Sequence, residues 1–157
     1  MNPAGDNQGP ILIAYDGSNF AKAAIDEIAG QFGPGRRVLI LTVWEPFEAI
    51  PFLGVGGVGA NQDAVDAIVT DSEKGAHEVA KEGTKRARDA GLDADPLVES
   101  GAPVWQRIVE AAEEQNASLV VIGSRGRSGL GYVLLGSVAA AVAQHSKRPV
   151  LIAHQRD

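Results

Sequence analysis

The chain has 157 residues, no cysteine, a formal net charge of -6 and a sequence pI near 5.0. That length can bury one core, so residues 1–157 are expected to form a single domain. The acidic balance argues against general nucleic-acid binding, which needs a basic face to displace counterions, and the missing cysteines exclude disulfides, zinc–thiolate sites and thiol chemistry.

The first residues, Met1 to Asp6, have neither a basic start nor an apolar run. They do not read as a signal peptide, so 1–9 is expected to be a flexible tail on a cytoplasmic protein. Ile11–Tyr15 is a short apolar run rich in Ile, continuous rather than alternating, as expected of a parallel strand covered on both faces. Ala24, Ile25, Ile28, Ala29 and Phe32 then recur at three and four residues and predict an amphipathic helix, which Gly33-Pro34-Gly35 ends. Val38–Val43 is the second strand. Residues 46–61 contain two prolines and four glycines with no periodicity, and are expected to be a mobile loop, either an incidental linker or a lid.

Val65, Ile68, Ser72, Ala76, Val79, Gly83 and Ala87 form the stripe of a long second helix. Asp95–Glu99 is a weaker strand candidate, followed by a third helix marked by Val104, Ile108, Val109 and Ala112. Leu119–Ile122 is the fourth strand. Val138, Ala141, Val142 and His145 mark the fourth helix, Arg148-Pro149 stops it, and Val150–Ala153 is the last strand. Strands alternating with helices and joined by right-handed crossovers predict an α/β fold, a doubly wound parallel sheet of five strands in the order 3-2-1-4-5 with helices on both faces. Ligands of such sheets sit beyond the carboxyl ends of the strands, where the winding reverses. No apolar stretch approaches the length of a membrane span.

Nineteen glycines exceed the ~7% usual in globular chains, and they gather after the fourth strand, where Gly123-Ser124-Arg125-Gly126-Arg127-Ser128-Gly129 leads on to Gly136-Ser137 and a helix. Glycines can take positive φ and let backbone N–H groups turn toward an anion, and the opening helix adds unpaired donors and a favourable dipole. Arg125 and Arg127 add positive charge in an otherwise acidic chain. The plainer alternative is a tight connection with a serine cap and two solvated arginines. Asp16, at the end of the first strand, faces the same crevice and could accept hydrogen bonds from sugar hydroxyls or hold magnesium through water; its plainer role is an Asx-turn, with Ser18 competing as helix cap.

Two residues separate Gly123 from Gly126, and nine separate Gly126 from Gly136-Ser137. This spacing resembles the ATP-binding branch of the universal stress protein family, and the likeness extends to Ile11–Ser18, to Gly101-Ala102-Pro103 and to Ser146–Ile152. The resemblance implies ATP as ligand, with Asp16 near ribose and adenine, Val43 meeting adenine through its backbone, and Gly123, Gly126, Gly136 and Ser137 holding phosphates. The expected site is completed by Ala14, Tyr15, Ile122, Ser124, Arg125, Arg127, Gly129 and Val138. The resemblance also implies a homodimer through the last strand, Pro149 to Ala153, and a regulatory role with a further protein partner. One departure stands out: before the fourth strand, where the family commonly has an acidic residue, this chain has Ser118, which bears on capping rather than binding.

His77, His145 and His154 lie apart from one another, and no nucleophile elbow or Walker motif precedes a helix. No catalytic residue or protein-bound metal is therefore expected. A binding protein is favoured over a slow ATPase or a nucleotidyl or phosphoryl transferase, and the intact glycine spacing speaks against a structural dimer without nucleotide.

Overall fold

A computed structural model describes residues 9–46, 62–127 and 135–155. Most of the 46–61 loop and of the 1–9 tail therefore lies outside the described residues. Nine elements follow in order: β1 (Ile11–Ala14), α1 (Asn19–Phe32), β2 (Arg37–Trp44), α2 (Gln62–Asp89), β3 (Asp93–Ser100), α3 (Val104–Glu114), β4 (Leu119–Gly123), α4 (Ser137–His145) and β5 (Val150–Ala153). They form one parallel sheet in the order β3-β2-β1-β4-β5, as expected.

Alternate residues of the central strands feed two cores. Ile11, Ile13, Val38, Ile40 and Val121 pack under α1 and α2, while Leu12, Leu39, Leu41, Val120 and Ile122 pack under α3 and α4. Burial on both faces explains the continuous apolar runs, because neither face of these strands meets water. β3 is an edge strand and was harder to read: Asp93, Asp95 and Pro96 interrupt its pattern, and it extends beyond 95–99 at both ends. An edge position tolerates Pro96, whose missing N–H costs no ladder bond on the open side.

The long helix departs from its predicted stripe. Burial starts only at Ala76, and Ile68 is 47% exposed. Twenty-eight helical residues span roughly 42 Å, whereas an eight-residue strand spans about 26 Å, so α2 outruns the sheet it covers. Where α2 crosses the sheet it lies very close. A Cβ on Gly83 would stand 2.6 Å from the Tyr15 ring and 2.9 Å from Ile40. No helix among the described residues is long and apolar enough to cross a membrane.

At the amino ends of the strands, Ser118 has a structural duty. Its hydroxyl donates to the Gly9 carbonyl at 2.8 Å, and an Arg36 Nη donates to both Ser118 and Gly9 at 2.8 Å. Gly9 is thus anchored rather than part of a flexible tail, and Ser118 ties β4 to the segment leading into β1.

Candidate functional site

β1 leads to α1 on one face, and β4 leads to α4 on the other, so the chain parts at their carboxyl ends and opens a crevice. The turn beyond β1 is built by three consecutive residues. Gly17 adopts φ 81°, the left-handed region that favours glycine; the Ser18 N–H donates to Asp16 Oδ1 at 2.9 Å; and Ser18 Oγ accepts from the Ala21 N–H at 3.2 Å. Asp16 forms the Asx-turn and Ser18 the cap, so the two plain roles coexist. Asp16 also remains on the cavity wall, with its Oδ2 3.2 Å from where a Cβ on Gly126 would stand.

The glycine loop is closed at its ends. The Ser124 N–H donates to the Ala153 carbonyl at 2.8 Å, extending the β4–β5 ladder, and the Gly136 N–H donates to the Ser124 carbonyl at 2.7 Å. That second bond brings Gly123–Arg127 against the start of α4. It also occupies one donor expected to be free. The expectation of positive φ in the cradle is corrected here: Gly123 and Gly126 are absent from the left-handed region, and Gly136 has φ -64°. Glycine is needed for closeness instead. A Cβ on Gly123 would stand 2.8 Å from the Phe20 carbonyl carbon, and one on Gly136 would stand 3.3 Å from the Ser124 oxygen.

Gly136 caps α4 without a side-chain hydrogen bond, and no acidic residue occupies the first turn. The amino end of this helix is therefore presented to the crevice with its dipole uncompensated. A cavity of about 190 Å³ lies there. Of the expected residues it is lined by Ala14, Tyr15, Asp16, Val43, Ile122, Gly123, Arg125, Gly126, Gly136, Ser137 and Val138. Ser124 does not line it, being buried by its two backbone bonds, and neither does Arg127, whose Nε donates to the Asp16 carbonyl at 2.6 Å. Gly129 lies outside the described residues.

Ala21, Leu41, Val104, Ile108 and Ala139 also line the cavity, and sequence reasoning missed them. Their helical and strand periodicity marks them only as core. Their position at the carboxyl end of the sheet was the available signal.

Val43 presents its backbone to the crevice by strand geometry. Leu41 accepts the Tyr15 N–H at 2.8 Å, so the polar groups of Val43, two residues on, face the same side, beyond the end of β1. The Thr42 hydroxyl, buried, donates to the Tyr15 carbonyl at 2.9 Å and holds the two strand ends together. The Tyr15 ring belongs to the opposite core, under Gly83. Burial there, and next the Glu82 carboxylate, push its hydroxyl well above the ordinary phenol range, so it stays neutral.

Among the described residues lining the cavity, Asp16 is the only carboxylate and no histidine occurs. His145 stacks on Trp105 with ring centroids 4.6 Å apart, and exposed His77 lies 3.9 Å from Glu73. No cluster of three His, Cys, Asp or Glu that could hold a metal occurs among the described residues.

Comparison with known proteins shows the family and the fold. The sequence profile of the universal stress protein family matches residues 9–154. Universal stress protein YxiE of Bacillus subtilis is 32% identical over 143 residues, covering 90% of this chain and 96% of that one. The solved structure of MJ0577, a universal stress protein of Methanocaldococcus jannaschii, shares the fold with a TM-score of 0.76 at 23% identity, covering 95% of this chain and 97% of that one. A universal stress protein crystallised in complex with cAMP is 29% identical, with a TM-score of 0.60, covering 94% of this chain and 97% of that one.

Proposed function

The chain belongs to the universal stress protein family, and on that premise we propose that its crevice binds an adenine nucleotide, ATP foremost, and that the bound nucleotide sets the state or partner choice of a regulatory protein in the stress response. One juxtaposition carries this reading: an apolar slot walled by Leu41, Val43, Ile108 and Ile122 ends on the uncapped start of α4 beside Arg125. The slot suits a planar base, whose edge meets the backbone of Val43. Asp16 suits ribose hydroxyls, which donate to a carboxylate, better than it suits phosphate. Phosphates go to the helix start and the loop, where N–H groups and a guanidinium offer complementary charge. The cavity of about 190 Å³ falls below the ~300 Å³ lower bound of typical ligand pockets, which suggests that it holds base and sugar while the phosphates extend along the loop. Magnesium accompanying ATP would meet Asp16 through water. The neighbour crystallised with cAMP supports an adenine nucleotide as ligand class.

Binding without turnover is favoured because the described lining offers no histidine and only a carboxylate already engaged in an Asx-turn. Mass analysis of freshly purified, denatured protein should release an adenine nucleotide. Thermal stabilisation should be larger with ATP than with GTP, since a ligand of the folded state raises stability by mass action. Equal stabilisation would remove the preference for adenine, and steady ADP formation at ordinary enzyme rates would favour the ATPase reading.

We further propose that the protein is cytoplasmic and dimerises through β5. This strand pairs with β4 on one side and forms an edge of the sheet, and its apolar Val150–Ala153 run is only partly covered at Val150, Leu151 and Ile152. Sedimentation at micromolar concentration should give the mass of a dimer; a monomer would contradict the proposal.

A further inference from the structure

Most arginines in the described residues are spent on carboxylates or carbonyls. Arg86 pairs with Asp26, Arg148 with Glu113, Arg107 with three glutamates, and Arg127 bonds the Asp16 carbonyl. Arg125 is different. It lines the cavity, no ion pair is formed by it among the described residues, and its guanidinium carbon lies 5.7 Å from the centroid of the Phe20 ring.

The contact has a chemical consequence. A guanidinium over an aromatic ring keeps its charge, which no carboxylate among the described residues neutralises, and its N–H donors are not taken by an ion-pair partner. A carboxylate partner would have consumed both. Phe20 is itself well fixed: it stands in the first turn of α1, its backbone lies against Gly123, and the next residue, Ala21, lines the cavity. We infer that Phe20 is a positioning residue that holds the Arg125 guanidinium, donors free, at the cavity wall, so that the site reads the phosphate charge of its ligand and favours nucleotides over the bare nucleoside. The inference rests on the crevice being an adenine nucleotide site. It adds the element that distinguishes ATP from adenosine and separates the two loop arginines, Arg125 serving the ligand and Arg127 the loop.

The test is calorimetric titration of the full chain with adenosine and with ATP at low and moderate salt, for the parent and for Phe20→Leu, Phe20→Tyr, Arg125→Gln and the double variant Phe20→Leu/Arg125→Gln. The readout is the ratio of the two affinities, because a general loss of folded protein lowers both and leaves the ratio unchanged. The parent should prefer ATP by roughly tenfold or more, as for a charge-assisted contact. Phe20→Leu should lower the ratio about threefold, the size of one exposed cation–π contact, and weaken its salt dependence; Phe20→Tyr should keep both. In the Arg125→Gln background, Phe20→Leu should change the ratio no further. An unchanged ratio in Phe20→Leu overturns the inference while leaving the site intact, as does an equal loss in the two backgrounds. A parent that binds neither adenosine nor ATP overturns the nucleotide site and the inference with it.

Discussion

Two glycines three residues apart at the end of β4 have different duties. Gly123 ends the strand in the core, and an added Cβ would run into the main chain of Phe20 at 2.8–3.0 Å, so this glycine lets α1 lie on the sheet. Gly126 is exposed, and among the described residues its added Cβ would meet only Asp16 Oδ2, at 3.2 Å. The spacing that joins them as one motif therefore combines a packing requirement at Gly123 with the binding requirement proposed for Gly126. A residue can match a ligand motif because the fold that makes the site needs it.

The comparison breaks most sharply in Gly123→Ala. Backbone atoms cannot swing aside, so α1 must shift; a loss on the order of 3 kcal/mol is expected, lowering Tm by roughly 6–12 °C in calorimetry. Gly83→Ala should cost at least as much, since its methyl group would enter the Tyr15 ring on the face away from the cavity. If Gly123→Ala melts like the parent and loses only ATP binding, Gly123 belongs to the site alone.

Gly126→Ala is the counterpart. The Asp16 carboxylate need yield only a few tenths of an ångström, which its turn can absorb, so Tm should stay within about 2 °C of the parent while ATP affinity by calorimetry falls roughly tenfold, or about 1.4 kcal/mol. Unaltered affinity would reduce the loop to a connector.

Arg127→Gln should act more weakly. It removes the bond that ties the loop to the Asp16 carbonyl across 111 residues of sequence, but at an exposed position where water competes. A two- to threefold loss of ATP affinity, on the order of 0.5 kcal/mol, is expected with the fold unchanged. A loss as large as that of Gly126→Ala would assign Arg127 to the ligand.

The smallest effect lies away from the crevice. Exposed Glu110, Glu113 and Glu114 are held below the ordinary carboxylate range, first by hydrogen bonds from Gln106, Arg148 and Arg107 respectively. Because the folded values lie below the unfolded ones, their contribution is complete at neutral pH and is lost as pH falls through the folded values. Tm should therefore decline gently below about pH 5, and Glu113→Gln should flatten part of that decline. An identical acid profile in Glu113→Gln would show that the pair with Arg148 adds nothing.

By itself the sequence determined the alternation of elements, four strands to within about two residues and the loop that reaches the crevice, because these follow from periods and turn residues local in the chain. It under-read β3, where Pro96 and two aspartates mask an edge strand, and over-read the apolar stripe of α2, whose first turns have no sheet beneath them. The glycine positions were legible, but the reason for them was not: positive φ is a local property, whereas the closeness of Gly123 to Phe20 and of Gly83 to Tyr15 exists only once distant segments pack. The same holds for the cavity walls, for Ser118 bridging to Gly9 and for the placement of Arg125 on the cavity wall and of Arg127 against the Asp16 carbonyl. Tertiary structure alone decided these, because contacts between segments a hundred residues apart leave no period in the sequence that either segment could show.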